Sequence, residues 1–355
     1  MSFLICYNKL FIKKGILYNI GSYVILAIIF FHIITIFMLY NKQFPSIKNE
    51  IKDIAFSKAN SKIFVQLVQK HKSRNIILNE KEIETEINKT NEMKTTNLKL
   101  KIIKKKKKKS RKKKRITPKK KVKKIMMLTD EEINNLNYNL AILCDKRTFF
   151  EYYISLLKTK HILIYSFNDH DYNSRSIKID LFLIAFAIEY TVNALFYDDD
   201  TMHKIYQSKG EFDFIYQIPI IIYSYLISTI LNIPLNSLGL SNDAIILFKQ
   251  EQSKNNIINE AKALEKKLKI RFILYFIICF LFLFFFWYYI STFCVIYRNT
   301  QLHLLKDTLM SFGLALIFPL FFNLLPGLFR IHSLSDNKNN RKFLYNFNKL
   351  LTFIF

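Results

Sequence analysis

The chain has 355 residues, is 51% hydrophobic and carries a formal net charge of +27. Apolar runs of about 20 residues, the length that crosses a bilayer core, alternate with charged stretches, so the sequence predicts an integral membrane protein. Its six glycines are not clustered and its four cysteines share no close spacing, which argues against a glycine-built phosphate cradle, a disulfide framework and a zinc site.

The first apolar run, Gly21 to Tyr40, predicts an N-terminal transmembrane anchor within residues 1–40. Twenty apolar residues exceed a typical signal-peptide core, and no small-x-small cleavage pattern follows. Cleavage of this run remains the alternative.

Residues 41–127 predict a polar to polybasic cytosolic linker. From Lys99 to Lys124, eighteen of 26 residues are Lys or Arg and none is acidic. Like charges repel and no apolar surface is available to bury, so this linker is predicted to be disordered. The predicted lipid-headgroup contacts are Lys104, Lys105, Lys106, Lys107, Lys108, Lys109, Arg111, Lys112, Lys113, Lys114 and Arg115.

Anionic lipid is the favoured partner of this basic segment, because each Lys or Arg near a charged leaflet contributes about 1 kcal/mol. A solvated tail without a specific partner is the first alternative. Nucleic acid is the second, and the segment contains none of the aromatic residues that usually accompany such binding. Liposome binding that requires anionic lipid and is unaffected by RNA would separate the three.

Residues 128–335 predict a four-span membrane module. It opens with Thr129 and Glu132 at capping-box spacing. Residues 146–167 form an amphipathic, aromatic-rich helix that suits the headgroup layer or, equally, packing on the bundle. The predicted spans are about Lys178–Tyr197, Phe214–Asn232, Arg271–Val295 and Leu309–Phe329.

A charged helix is predicted from Asn242 to Lys269, and residues 336–355 predict a basic C-terminal tail. The fold class is therefore all-α: an integral membrane helical bundle of about five transmembrane helices with a disordered polybasic linker. Homo-oligomers are a further expectation, since four or five spans often assemble to enclose a pore.

The charges of the short loops predict orientation. The loop from Asp198 to Asp213 holds five acids and two lysines, whereas the segment before the fourth span and the C-terminal tail are basic. The polybasic segment and C-terminus are therefore predicted to be cytosolic, in the plasma membrane or an endomembrane. Lys13 and Lys14, on the predicted outer side, run against this assignment. Glycosylation at Asn88 would overturn it.

Three stretches resemble a family of uncharacterised multi-pass membrane proteins of protists, ciliates especially. They are LTDEEINNLNYNLAILCDKRTFFEYYISLLKTKHILIYSF, DDDTMHKIYQSKGEFDFIYQIPIIIYS and FCVIYRNTQLHLLKDTLMSFGLALIFPLFFNLLPGLFRI. The resemblance covers about residues 128–335. It implies a C-terminal membrane module joined to variable N-terminal parts, and it carries no functional residue.

Glu189 is the most informative single residue because it lies within the second predicted span, where ionisable groups are costly and usually face a bundle interior. Asn193 shares its helical face, and His32 of the first span is a candidate partner. The three define a candidate intramembrane polar site. A neutral, hydrogen-bonded Glu189 that only fixes helix packing is the alternative.

The sequence contains no catalytic motif and predicts no enzyme, no metal site and no cofactor. Asp169 to Asp171, and Asp198 to Asp200 with His203, are expected to be exposed turns rather than metal ligands. The leading functional expectation is a non-enzymatic membrane scaffold or anchor whose basic segment binds lipid. The alternative is a transporter or channel subunit that uses Glu189, although a single mid-span acid is a thin basis for an ion path.

Overall fold

The computed structural model describes residues 10–12, 17–59, 128–207, 214–250, 256–335 and 341–354. The predicted lipid-binding residues, 104–115, and residues 60–127 of the predicted disordered linker lie outside these ranges. Residues 41–59 of that linker are instead helical, with Ile47 and Ile51 buried on one helical face. The chain divides into two compact units, Met1–Ile51 with Thr129–Phe355, and Lys52–Leu128. Of the second unit, 52–59 are described as helical.

The described part of the first unit is built of helices and their connections. In chain order, its helices are α1 (Ile20–Met38), α2 (Asp130–Asn134), α3 (Tyr138–Cys144), α4 (Phe149–Lys160), α5 (Ile162–Phe167), α6 (Arg175–Leu195), α7 (Asp199–Gln207), α8 (Phe214–Gly239), α9 (Asn242–Gln250), α10 (Ile257–Ile296), α11 (Gln301–Phe322), α12 (Leu324–Leu334) and α13 (Lys342–Ile354). A π-helical turn, Leu39–Gln43, follows α1.

The protein is an all-α integral membrane bundle. Within the described residues, four helices are long and apolar enough to cross a membrane: those that contain α1, α8, α10 and α11. The number becomes five when α6 and α7, bent by 90° at their junction, are taken as one broken span. The predicted fold class and span number are confirmed.

Helix α6 is the least apolar of the crossing helices and lies at the centre of the bundle. Its 21 residues rise about 31 Å, the thickness of a bilayer core. It contacts α1, α5, α8, α10 and α11, and fifteen of its residues are buried. Its charged side chains can lie at membrane depth because the more apolar helices around it separate them from lipid.

The bundle has two ends, which we call end A, where α6 begins, and end B, where α6 ends. At end A, Gln43 after α1 accepts hydrogen bonds from the Ser174 hydroxyl and, at 2.9 Å, from the Ser176 amide. At end B, the Asn19 side chain donates to the Ser291 carbonyl at 2.8 Å. The chain therefore leaves α1 at end A, and α2, α9 and the start of α10 lie at the same end.

Several helix boundaries differ from the predicted ones. Helix α8 continues through Pro219 and Pro234 to Gly239 instead of ending near Asn232. Membrane helices tolerate proline where neighbouring groups can satisfy the freed carbonyls. The predicted charged helix is divided: its first part is α9, and its later part continues into the fourth span. The resulting α10 is one 40-residue helix, about 60 Å long, whose charged first half extends beyond the bilayer core.

The predicted amphipathic helix over 146–167 is broken into α4 and α5 at His161. This side chain accepts from the Ile164 amide through Nδ1 at 3.4 Å, and its Nε2 donates to the Leu316 carbonyl of α11 at 2.7 Å. Tyr153 donates to the Leu320 carbonyl at 2.9 Å. The segment therefore packs on the end-A side of α11, as the packing alternative expects.

Arg330 of α12 connects the helices that cover end A. Its fully buried guanidinium donates to Asp145 Oδ2 at 2.7 and 2.9 Å and to the Asn134 and Ile133 carbonyls. It also stacks over the Tyr152 and Tyr345 rings, so α12, α4 and α13 are held together. Burial alone would raise the pKa of Asp145, but Arg147 and Arg330 lower it below its usual value.

Candidate functional site

A cavity of about 420 Å³ opens at end A and extends between α6, α8 and α11 to mid-membrane depth. Glu131, Lys160 and Asp243 lie at its mouth. Along the bundle, its innermost lining residues are Glu189 and Tyr225, with Phe312 of α11 at a similar depth. The cavity thus leads from one end of the bundle to the predicted intramembrane carboxyl.

Helix α8 supplies a polar wall to the cavity. Ser228, Asn232 and Asn236 all line it and recur every four residues, so they share one helical face. The Asn232 amide donates to the Ser228 carbonyl at 2.9 Å, which leaves its side-chain oxygen without a hydrogen-bond partner in the protein. The facing wall is apolar, with Leu181 and Ala185 of α6.

Glu189 is 2% exposed and forms the inner end of the cavity. Its Oε1 accepts from the Ser311 hydroxyl at 3.0 Å, and Ser228 faces the same carboxyl from α8. No Lys, Arg or His side chain in the described ranges forms an ion pair with it. A buried carboxyl with hydroxyl neighbours and no countercharge can hold a proton or bind a cation.

Beyond Glu189, a layer of buried polar side chains closes the path toward end B. The Asn193 amide donates to Thr308 at 3.2 Å and to Ser311 at 3.0 Å, so Asn193 and Glu189 share one hydroxyl neighbour. One turn further, the Tyr197 hydroxyl donates to Asp307, which His303 approaches to 3.3 Å. Polar groups therefore continue along the α6–α11 interface to end B without an open cavity.

The structure places His32 away from Glu189, in a second buried cluster nearer end A. Its Nδ1 donates to Asp180 at 2.9 Å, and Tyr275 donates to the other carboxylate oxygen at 2.8 Å. The candidate pairing of His32 with Glu189 is not formed, because α1 packs with His32 level with the start of α6. Asp180 does not pair with Lys178, whose ammonium contacts Asp171 at 3.0 Å.

Both ring nitrogens of His32 face acceptor oxygens. Nδ1 faces Asp180, and Nε2 lies 3.3 Å from the Phe276 carbonyl. This cluster is enclosed, with His32 and Asp180 both 0% exposed, so it joins α1, α6 and α10 and is not open to a solute.

Carboxylates outnumber unpaired lysines around the mouth of the cavity. Burial, reinforced by the charge of Asp243, raises the pKa of Glu131 to about 7. The Asn242 amide donates to Glu131, and Lys178 is already paired with Asp171. The local field at the mouth therefore favours cations above about pH 7, where Glu131 is ionised.

Among the described residues, no group of three or more His, Cys, Asp or Glu side chains could hold a metal ion. Of the sequence-predicted polar site, Glu189 and Asn193 are brought together through Ser311, and His32 is not. Sequence reasoning missed Ser311, Thr308 and the α8 stripe. The four-residue spacing of Ser228, Asn232 and Asn236 was the available signal for the stripe.

The fold and the cavity together define an integral membrane helical bundle with a cavity that has a buried carboxyl at its inner end. Comparisons of the chain with protein-family models, with curated proteins and with solved structures found no match. The resemblance to the protist membrane family stays a prediction.

Proposed function

We propose that the protein is a transporter or channel subunit whose substrate path runs from end A to Glu189. The observation that carries this proposal is the cavity that ends at a buried carboxyl without a countercharge. In this conformation, the path is open at end A, and Asn193, Thr308 and Ser311 close it toward end B. A substrate that reaches Glu189 has passed about 21 Å along the roughly 31 Å length of α6, and movement of α11 against α6 would open the remainder.

A single mid-span acid would be weak support for an ion path, but further polar groups lie beyond Glu189. The α6–α11 interface continues through Asn193 and Thr308 to Tyr197 and Asp307. Asp307 is a buried ionisable side chain, and such side chains in a bundle interior usually mark substrate or proton pathways.

Charge movement in proteoliposomes tests the proposal. The wild-type chain is expected to give transient currents on solid-supported membranes after a jump in proton, sodium, potassium or alkylammonium concentration. Glu189→Gln, which keeps an acceptor for Ser311 but removes the charge, should reduce the responding current at least about tenfold, a change of roughly 1.4 kcal/mol.

Glu151→Gln is the matched control for this experiment. Glu151 is exposed and completes the capping box of α4, a role that glutamine can also fill. Its current should equal that of the wild type. Wild-type liposomes without current, or Glu189→Gln liposomes with full current, would rule the proposal out.

A second proposal concerns the basic segment at 99–124, whose charge favours an anchoring or scaffolding role on anionic lipid. We also propose that end A is cytosolic, in the plasma membrane or an endomembrane. The basic residues at the start of α10 and in the C-terminal helix support that orientation through the positive-inside rule.

A further inference from the structure

We infer that the ligand of the cavity is an organic amine, with its ammonium group at Glu189, its apolar body against α6 and α11 and its polar substituents on α8. This inference rests on the proposed function, because it names the substrate class of the same site. It follows from four features of the cavity: its charge, size, walls and mouth.

The charge at the inner end selects a cation. Glu189 is 2% exposed, and its one hydrogen bond at 3.0 Å comes from the neutral Ser311 hydroxyl. An anionic ligand group there would face a carboxyl at membrane depth without any basic side chain to offset it. An ammonium group would supply the missing countercharge and has three protons to donate, enough for Glu189 and Ser228 together.

The size of the cavity selects an organic molecule over an inorganic ion. Small-molecule sites commonly enclose roughly 300 to 1,000 Å³, and this cavity encloses about 420 Å³. A dehydrated metal ion needs several oxygen or nitrogen ligands at once. In the described ranges of the chain, no cluster of three such acidic, His or Cys side chains exists.

The two walls differ in chemistry, which favours a ligand with two different sides. Leu181 and Ala185 of α6, with Leu316 of α11, offer hydrocarbon. Asn232 and Asn236 of α8 offer amides, and the unpaired side-chain oxygen of Asn232 can accept a hydrogen bond. Tyr225 and Phe312 lie near the inner end, where aromatic side chains favour an alkylammonium group over a neutral one.

The mouth supports the same ligand class. Glu131 and Asp243 line it, and Lys178 is neutralised by Asp171. Lys160 is the remaining basic lining residue among those described. Above about pH 7, where Glu131 is ionised, the acids outnumber Lys160 and a cation meets a favourable potential on entry.

The test uses three probes of one shape: phenethylamine, 2-phenylethanol and phenylacetate. Binding to the purified full chain in lipid nanodiscs is measured by calorimetry. The amine is expected to bind at least about tenfold tighter than the alcohol or the acid, because truncating one member of a desolvated charge pair usually costs more than that. Glu189→Gln should abolish the preference, and Glu151→Gln should retain it.

A second measurement avoids dependence on the folding of Glu189→Gln. A hydrophobic carbodiimide labels protonated membrane carboxyls, so mass spectrometry of the wild-type chain reports modification of Glu189 directly. Phenethylamine should slow that labelling, whereas 2-phenylethanol should not. Equal protection by both probes, or no amine binding at millimolar concentration, would overturn the inference.

The two proposals fail in different ways. Currents carried by an anionic solute or an inorganic cation but not by an amine, and blocked by Glu189→Gln, would refute the amine and leave the transporter in place. Amine binding at Glu189 without any flux would leave the amine site in place and refute transport.

Discussion

Glu189 and Asp180 are two acids of helix α6 that have different surroundings. Asp180 is enclosed by His32 and Tyr275, whereas Glu189 has a hydroxyl neighbour and an open cavity. Sequence position identified Glu189 as unusual because it lies in the middle of an apolar run. Whether His32 lies next to Glu189 or next to Asp180 depends on how α1 packs against α6, and no local sequence pattern encodes that packing.

Glu131 gives a pH-dependent prediction at end A. Its pKa is about 7 in the folded chain, against a usual value of 4.5, chiefly because of burial. The unfolded chain loses this proton above pH 4.5 while the folded chain retains it up to about 7, so Glu131 lowers stability increasingly across that window. Above about pH 7, the ionisation of Glu131 lowers the free energy of unfolding by at most about 3 kcal/mol.

Glu131→Gln removes the ionisation and keeps an acceptor for the Asn242 amide. Its melting temperature is therefore expected to exceed that of the wild type at pH 8 and to match it at pH 4.5. Glu151→Gln, at an exposed cap, should show no such crossover. A variant that is less stable than the wild type at pH 8 would contradict the burial argument.

At the scale of elements, α1 is part of the bundle. It packs on α10 and α6, and it belongs to the same compact unit as Thr129–Phe355. Gly21 permits the close approach: a Cβ there would lie 2.5 Å from Ile290 Cγ2 and 2.6 Å from Cys294 Sγ. Hydropathy predicted a span here but not its contacts, because it reports the length of an apolar run and not its neighbours.

The cluster of His32 and Asp180 should couple α1 to α6 energetically. His32→Leu leaves the Asp180 carboxylate buried without its partner imidazole and should destabilise the protein by about 3 kcal/mol. Replacing both residues with leucine removes the buried charge as well, so the double variant should be more stable than His32→Leu alone. Thermal or SDS-induced unfolding of the purified chain measures both.

Thr35→Val is the control on the same helix, since the Thr35 hydroxyl bonds only to the His32 carbonyl of its own turn. Thr35→Val should lower the free energy of unfolding by about 1 kcal/mol or less. A double variant that is no more stable than His32→Leu would mean that His32 and Asp180 do not interact.

The elements themselves were largely predictable, and their interfaces were not. Apolar runs of bilayer length predicted the crossing helices, and Thr129 with Glu132 does form a capping box. The continuation of α8 past Pro234 and the joining of part of the predicted charged helix to the fourth span in α10 escaped prediction. Both depend on tertiary neighbours that stabilise a helix where the local sequence favours a break.

At the scale of the whole molecule, the two ends of the bundle differ. End A carries α2 to α5, α12 and α13, and the cavity opens there. Toward end B, the α6–α11 interface is closed by side-chain hydrogen bonds. The polar helix α6 lies inside a shell of apolar helices. A bundle that is open at one end and closed at the other would correspond to one conformation of an alternating-access carrier.

Thiol accessibility tests most directly whether water reaches the middle of the membrane from end A. Ser228 and Ser224 are buried serines one turn apart on α8; Ser228 lines the cavity and Ser224 does not. Each is replaced with cysteine in a chain whose native cysteines are alanine, and a charged, membrane-impermeant methanethiosulfonate is applied from each side. Ser228→Cys should be modified from one side only and Ser224→Cys from neither. Equal modification of the two positions, or none of either, would contradict a cavity that reaches Glu189.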